Sequence, residues 1–145
     1  MRQIKQQLDE RREDMLEAGL KGRQEVMVTE DNCASAVGSG LLQVFATPAM
    51  VALMEKTAWM SVAPCLSEGE GTVGTMLNIR HTAATPMGMK VWCESELKEV
   101  DGRRLLFHVD VFDEVGKVGE GEHERFIVKN ERFMQKAMAK KENVK

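Results

Sequence analysis

The 145-residue chain lacks the features that mark several broad classes of protein. It has no apolar run of about 18 residues, which predicts no transmembrane helix, and its charged N-terminus cannot form the apolar core of a signal peptide. Its 20 basic and 23 acidic side chains are spread along the chain, without the basic block that binds nucleic acid. We therefore expect one soluble, cytoplasmic domain that binds neither membranes nor nucleic acids.

Cysteine is also scarce, with three residues that are widely spaced and form no CxxC pair. This pattern indicates neither a disulfide framework nor a zinc site. We expect Cys33, Cys65 and Cys93 to be small buried hydrophobes, and a nucleophilic thiol is the less favoured alternative. The GxSxG, P-loop and GxGxxG motifs are absent. The sequence therefore predicts no metal and no cofactor.

A long central helix is predicted between Thr47 and Pro64. Thr47 suits the N-cap, Pro48 the first helical position, and Pro64 marks the end. Apolar residues occupy almost every face, which favours a helix buried in the protein. Glu55 is the one acid in this helix, and a buried carboxylate is costly unless it is paired or used. The amide groups at the helix N-terminus can stabilise a carbonyl oxygen as it gains negative charge.

Most of the remaining chain predicts an antiparallel sheet. In one strand Leu105, Phe107, Val109 and Val111 alternate with polar residues, which indicates one buried and one wetter face. The pair Asp101-Gly102 predicts a tight hairpin. Extended patterns define five strands, at about residues 24–29, 72–81, 87–100, 103–112 and 118–128.

The order of these elements predicts the fold. A flat sheet cannot bury one apolar helix, so the sheet must curl around it, and its edge strands invite a second copy of the chain. We therefore predict an α+β hot-dog fold, usually dimeric, with a helix over residues 1–18 that ends at Gly19 and another over 133–139. The expected organisation is an N-terminal surface helix over residues 1–20, the hot-dog domain over 21–130, and a C-terminal helix and tail over 131–145.

Five segments resemble those of the fluoroacetyl-CoA thioesterase family of hot-dog enzymes. They are VFATPAMVALME, EGEGTVGT, RHTAATP, DGRRL and GEHER, and they follow one another between Val44 and Val128. The resemblance implies an enzyme that hydrolyses an acyl-CoA thioester to a free acid and coenzyme A.

The resemblance also implies roles for individual residues. The catalytic threonine, acid and histidine of the family fall on Thr47, Glu55 and His81. A glycine that lines the acyl pocket falls on Gly74, and the arginine of the HER segment falls on Arg125, which we expect to bind substrate. The segment before the helix departs from the family pattern.

Fluoroacetyl-specific members carry a phenylalanine-bearing lid at that place, whereas this chain has Gly38 and Leu41 within GSGLLQ. We expect Leu41 and Pro48 to contribute to substrate binding. The change of lid predicts hydrolysis of small acyl-CoA thioesters in general, without selectivity for a fluorinated acyl group.

Each catalytic candidate has a structural alternative. Taken alone, Thr47 is a helix cap, Glu55 forms an exposed ion pair with Lys56, and His81 is an ordinary histidine at a strand end. The occurrence of all three at the family's spacing favours the functional interpretation.

Three further residues have less defined roles in the sequence. Arg125 either pairs with the neighbouring glutamates 120, 122 and 124 or lies near the site. We interpret His108 and His123 as strand residues on polar faces, without a catalytic role.

The spacing of the candidates predicts how the site is assembled. Thr47 and Glu55 are eight residues apart, which corresponds to about 12 Å along a helix. Direct contact within one subunit is therefore not expected, and we predict a composite site across the two-fold axis of a homodimer, with Glu55 at the interface. Glu55 acts as nucleophile or as general base. The alternative functions are a non-catalytic acyl-CoA-binding module and a hydratase or dehydratase on the same fold.

Overall fold

The structure is a computed structural model that describes residues 2–144, apart from the side chains of residues 9–14. None of the helices in this part of the chain is long and apolar enough to cross a membrane. The main elements are α1 (Arg2–Asp14), β1 (Lys21–Met27), α2 (Ala34–Val37), α3 (Thr47–Val62), β2 (Glu70–His81), β3 (Lys90–Asp101), β4 (Arg104–Asp113), β5 (Lys117–Lys129) and α4 (Asn130–Ala139).

The five strands form one antiparallel sheet in the order β1-β3-β4-β5-β2. Helix α3 contacts every strand, as expected of a sheet that curls around a central helix. The predicted α+β class, with additional helices at both ends of the chain, is confirmed. Strand β2 lies at one edge of the sheet, where the outer side of its backbone has no neighbouring strand within residues 2–144.

The core lies between α3 and the concave face of the sheet. Along α3 the residues at every fourth position are fully buried, from Met50 through Met54 and Ala58 to Val62. Along β4 the four alternating apolar residues predicted to share a face are also fully buried: Leu105, Phe107, Val109 and Val111. These two periodicities, close to four in the helix and two in the strand, are those of one-sided packing.

The opposite face of α3 differs from the expectation of a helix buried all round. Ala52 and Lys56 are exposed, and Trp59 retains 44% of its accessible surface. The physical reason is that the sheet packs against one side of the helix. An apolar helix face therefore remains open to a partner.

The start of α3 is shifted by one residue from the prediction. Ala46 is the N-cap, Thr47 is the first helical residue and Pro48 the second. The N-cap therefore has no side-chain hydrogen bond, and the hydroxyl of Thr47 contacts a histidine ring. The predicted end near Pro64 is confirmed, since α3 stops at Val62 and a 3₁₀ turn follows.

The helices at the chain ends also differ in their bounds from the predictions. Helix α1 ends at Asp14, and Gly19 lies beyond it in a left-handed turn with φ of +102°, where its N–H donates to the carbonyl of Leu97 at 2.8 Å. Helix α4 begins at Asn130, three residues before the predicted start. Strand bounds shift by up to three residues, because pairing with β3 places β1 at Lys21–Met27. Such end effects are common, since pairing and caps rather than propensity decide them.

Candidate active site

Thr47 and His81 are brought together where α3 begins and β2 ends. The Thr47 Oγ1 lies 2.8 Å from Nδ1 of His81. The other ring nitrogen, Nε2, is buried and has no hydrogen-bond partner among the described residues. Burial lowers the pKa of His81, which keeps the imidazole neutral near pH 7. A neutral imidazole is the form that can accept a proton.

A cavity of about 340 Å³ adjoins this pair. Thr47, His81 and the N-cap residue Ala46 contribute to its wall, so the N-terminus of α3 lies beside it. The first amide groups of a helix have no intrahelical acceptor and carry the positive end of the helix dipole. The cavity therefore combines a neutral histidine with donors suited to a developing oxyanion. The other lining residues are Ala34, Ser39, Val44, Phe45, Thr82, Ala83 and Ala84.

Glu55 lies in a second group of residues, eight positions after Thr47 in α3. Its Oε2 is 3.0 Å from Nη1 of Arg125 in β5. Arg125 also donates from Nε to Thr72 Oγ1 at 2.8 Å and from Nη2 to the Thr72 carbonyl at 3.0 Å. The side chain of Arg125 is only 7% exposed, against 38% for Glu55. We call Glu55, Gly74, His123 and Arg125 the carboxylate cluster.

These contacts decide between the two interpretations of Arg125. It pairs with Glu55 and with none of the three neighbouring glutamates. Glu124 instead accepts from Arg104 at 2.7 Å, and Glu120 from Lys117 at 3.0 Å. Desolvation lowers the pKa of Arg125, and the hydrogen bond to Glu55 opposes that shift. Arg125 is thus part of the environment of the carboxylate.

His123 is the residue that sequence reasoning missed. The expectation that it lies on a polar face is wrong, because it is fully buried. Its Nδ1 lies 2.9 Å from the carbonyl of Met76, and its Nε2 lies 3.1 Å from Nη1 of Arg125. Burial lowers its pKa, with the charge of Arg125 as a further cause. His108 does lie on the wetter face, within 3.1 Å of Asp110.

A signal for His123 was present in the sequence. In GEGEHER, residues 119–125, the glycines, His123 and Arg125 occupy alternate positions, and glutamates occupy the others. In a strand, alternate positions face opposite sides. Since a row of three glutamates indicates the solvent side, His123 and Arg125 belong to the inner side, together with Gly119 and Gly121.

Gly74 allows the strand β2 to approach the cluster. A Cβ atom on Gly74 would lie 2.6 Å from Oε2 of Glu55 and 3.2 Å from both Arg125 Nη1 and His123 Cε1. A register shift separates Gly74 from Met76 in the pairing with β5. Any side chain at residue 74 would therefore displace the carboxylate.

The two groups of candidates do not meet within one chain. Thr47 hydrogen-bonds with His81, whereas Glu55 contacts the carboxylate cluster, and no hydrogen bond joins the groups among residues 2–144. Gly74 and His81 are seven residues apart on β2, which corresponds to roughly 23 Å of extended chain. Within a single subunit the two groups are therefore separate.

The remaining candidates lie outside these contacts. Leu41 is 93% exposed in the segment before α3, and Pro48 is also exposed; neither lines the cavity beside His81. Cys33, Cys65 and Cys93 are free and buried. Burial raises the pKa of Cys93 to about 12, so its reactive thiolate is scarce at neutral pH.

Comparison with known proteins agrees with this architecture. Residues 28–131 match the family described as fluoroacetyl-CoA-specific thioesterase, FlK. The fluoroacetyl-CoA thioesterase of Streptantibioticus cattleyicolor is 45% identical over 98 residues, which cover 68% of this chain and 70% of that protein.

Solved structures agree as well. A variant of the fluoroacetyl-CoA thioesterase FlK in complex with acetyl-CoA superposes with a TM-score of 0.83 at 34% identity, covering 86% of this chain and 98% of that one. A Thermus thermophilus hypothetical protein of the thioesterase superfamily superposes with a TM-score of 0.82 at 27% identity, covering 88% of this chain and 95% of that one. The fold is therefore the hot-dog fold, as predicted, and the protein is a thioester hydrolase. The chain belongs to the fluoroacetyl-CoA-specific thioesterase family, whose members hydrolyse acyl-CoA thioesters.

Proposed function

We propose that this protein hydrolyses small acyl-CoA thioesters in the composite active sites of a homodimer. Each site contains Thr47 and His81 of one subunit and Glu55 of the partner subunit. The observation that carries this proposal is the buried Nε2 of His81, which lacks a partner in the described chain although it lies beside a cavity. Buried polar atoms of native proteins are normally paired, so substrate or a second subunit is expected there.

The edge strand β2 supplies a way to assemble the site. It is 12 residues long, contains no proline and has one unpaired side. Long open edges of this kind tend to pair with another strand. Antiparallel pairing of β2 with its symmetry copy reverses the strand direction. It would bring the Gly74 end, with Glu55, of one subunit towards the His81 end of the other.

The open face of α3 supports the same arrangement. Pro48, Ala52, Trp59 and Ala63 are exposed along the side of α3 that the sheet does not cover. Covering this face would remove apolar surface from water, and a second copy of the chain can cover it with the same residues in an isologous contact. Glu55 lies at intermediate exposure on this helix, where its carboxylate is accessible from outside the subunit.

The chemistry follows from these positions. Amide groups at the start of α3 hold the thioester oxygen as it gains charge. Thr47 hydrogen-bonds Nδ1 of His81 and fixes the ring, whose Nε2 accepts and returns a proton. Coenzyme A leaves as a thiolate, which needs little assistance from an acid.

Glu55 can take part by either of two routes. In the first, its carboxylate attacks the thioester carbonyl, the thiolate leaves, and water cleaves the resulting mixed anhydride. In the second, Glu55 removes a proton from water, the water oxygen attacks the carbonyl, and the thiolate leaves from the tetrahedral intermediate. Mass spectrometry of rapidly quenched enzyme separates them, because only the first route places an acyl group on Glu55.

We assign Gly74 and Arg125, which lie beside Glu55, to the wall of the acyl site, and Leu41 and Pro48 to further substrate contacts. We assign the catalytic unit to residues 21–130, with the terminal helices as additions. The three free cysteines fit a reducing, cytoplasmic setting. Because the aliphatic Leu41 is exposed, it offers no rigid aromatic closure over a fluorinated group.

A panel of acyl-CoA substrates tests the function. We expect thiol release from acetyl-CoA and other short acyl groups, and a decline for long chains. Fluoroacetyl-CoA is intrinsically more reactive than acetyl-CoA, and the ratio of their rates of hydrolysis by hydroxide in buffer measures this difference. We expect the ratio of their enzymatic turnover rates to be close to that value. Binding without thiol release, or hydration of an enoyl-CoA, would contradict the proposal.

Mixed dimers test the composite site. Glu55→Gln and His81→Ala homodimers should each be inactive. A heterodimer purified through two different tags contains one intact site and should recover about half of the wild-type activity per dimer. An inactive heterodimer of native stability would show that Glu55 and His81 act within the same subunit.

A further inference from the structure

The arginine of the carboxylate cluster needs an explanation of its own, because it is almost buried. A guanidinium carries five N–H donors, and each donor that is removed from water needs an acceptor. In Arg125 two donors go to Thr72 and one to Glu55. A fourth, on Nη1, goes to His123 Nε2 at 3.1 Å.

The protonation of His123 follows from its neighbours. The carbonyl of Met76 only accepts hydrogen bonds, so Nδ1 of His123 carries the proton and donates to it. The other nitrogen, Nε2, then has a lone pair directed at Arg125. Main-chain geometry thus selects the tautomer that accepts from the arginine.

The histidine ring is also held in place by packing. It is fully buried, and its centroid lies 6.2 Å from that of the Phe107 ring. The missing side chain of Gly74 leaves space for the Cε1 edge of the ring, since a Cβ there would lie 3.2 Å from Cε1 of His123. The ring therefore provides a fixed acceptor position.

Neutrality distinguishes His123 from a carboxylate at the same position. Nη1 of Arg125 donates both to His123 Nε2 and to Glu55 Oε2. An uncharged acceptor satisfies one donor without competing for the positive charge, which remains matched to Glu55 alone. The charged groups that face His123 are Arg125 from β5 and Glu55 from α3, whereas Met76, Gly74 and Phe107 are uncharged.

We propose that His123 is a positioning residue for catalysis: its Nε2 holds the guanidinium of Arg125 in the orientation that fixes Oε2 of Glu55. This proposal rests on the proposed role of Glu55 as the reacting carboxylate. A small displacement of such a group lowers turnover strongly, while substrate binding elsewhere is unchanged. The effect should therefore appear in kcat rather than in KM.

Two amide substitutions separate the functions of the two ring nitrogens. The amide of His123→Gln reaches the position of Nε2 and keeps an acceptor for Arg125. The amide of His123→Asn reaches only the position of Nδ1 and keeps the donor to Met76. We expect kcat to fall about 10- to 100-fold in the asparagine variant, with KM within about twofold, and to stay within about threefold in the glutamine variant.

Equal losses of kcat in His123→Gln and His123→Asn, at matched melting temperatures, would overturn the proposal, because such losses would reflect the packing of the ring alone. Glu55→Gln is measured in the same series. If Glu55→Gln keeps wild-type kcat, the proposed function fails; if it is inactive while His123→Asn has wild-type kcat, only the positioning role fails.

A double variant tests the route of the effect. Since His123 acts through Arg125, adding His123→Asn to Arg125→Met should lower kcat little further, and independent losses would contradict the proposal. Imidazole nitrogen NMR of the wild-type protein provides a measurement that does not depend on a variant's folding. His123 should show a protonated Nδ1 and an unprotonated Nε2, and the opposite tautomer would overturn the proposal.

Discussion

Glu55 and Arg125 form an ion pair with a 3.0 Å contact in which the arginine is nearly buried and the carboxylate is more than one-third exposed. The asymmetry follows from the other contacts of the arginine. The buried partner is held by Thr72 and His123, so the exposed partner is oriented without being enclosed. A carboxylate held in this way can still meet a substrate or a second subunit.

Replacement of Gly74 by alanine tests the close approach of β2 to this pair. The new methyl group would lie 2.6 Å from Oε2 of Glu55, so the carboxylate must move. We expect kcat to fall by about 100-fold, as for other small misplacements of a reacting group. Steady-state kinetics are compared with Gly116→Ala, a position where a Cβ meets nothing within 4 Å. Equal kcat values for the two variants would contradict the assignment.

Substitution of Arg125 tests the buried partner. Arg125→Met removes four hydrogen bonds and leaves the Nε2 of His123 and the Thr72 carbonyl without their donor. We expect a loss of about 2 kcal/mol in unfolding free energy together with a large loss of kcat. Arg125→Lys keeps the charge but cannot reach all of these acceptors. Its unfolding free energy and its kcat should lie between those of the wild type and of Arg125→Met.

Urea denaturation and kinetics of the Arg125 variants are compared with Arg103→Met. Arg103 is exposed, and its side chain makes one long contact, at 3.4 Å, with the carbonyl of Ile127. The control should retain both stability and activity. A stable, fully active Arg125→Met enzyme would show that the ion pair is dispensable.

Substitution of Thr47 separates its hydroxyl from its place in the helix. Thr47→Val keeps the shape but removes the oxygen that lies 2.8 Å from His81 Nδ1, whereas Thr47→Ser keeps the oxygen. We expect kcat to fall about 100-fold for valine and much less for serine, because the imidazole loses its orientation. We expect no loss of unfolding free energy from helix capping, because the N-cap of α3 is Ala46. Similar kcat values for both variants would indicate that the hydroxyl is not used.

Acid should destabilise the protein through two histidines, His81 and His123. Burial lowers the pKa of both His81 and His123 in the folded state. The unfolded chain, with histidine pKa values of about 6.5, therefore binds protons that the folded chain does not, and stability falls as pH drops below about 6.5. Urea midpoints at pH 7.5, 6.5 and 5.5 should decrease in that order. His123→Gln should flatten the decrease, and an unchanged slope in this variant would contradict the burial of a neutral His123.

Much of the fold could be predicted from the sequence because its patterns are local. Alternation along β4 reflects burial directly and recurs in the structure, whereas the apolar character of α3 predicted burial for only one of its two faces. Strand ends and the N-cap were less predictable. They depend on pairing partners and on competing hydrogen bonds, as when Thr47 binds His81 rather than capping α3.

The sequence by itself determined the class of fold, the family and the candidate site residues Thr47, Glu55 and His81, since periodicity and motif spacing are properties of a linear chain. Only the tertiary structure decided which of these side chains meet. The pairing of Arg125 with Glu55, 70 positions away, and the burial of His123 arise when β2, β5 and α3 pack together. Such contacts depend on distances in space, and the spacing of residues along the chain does not contain them.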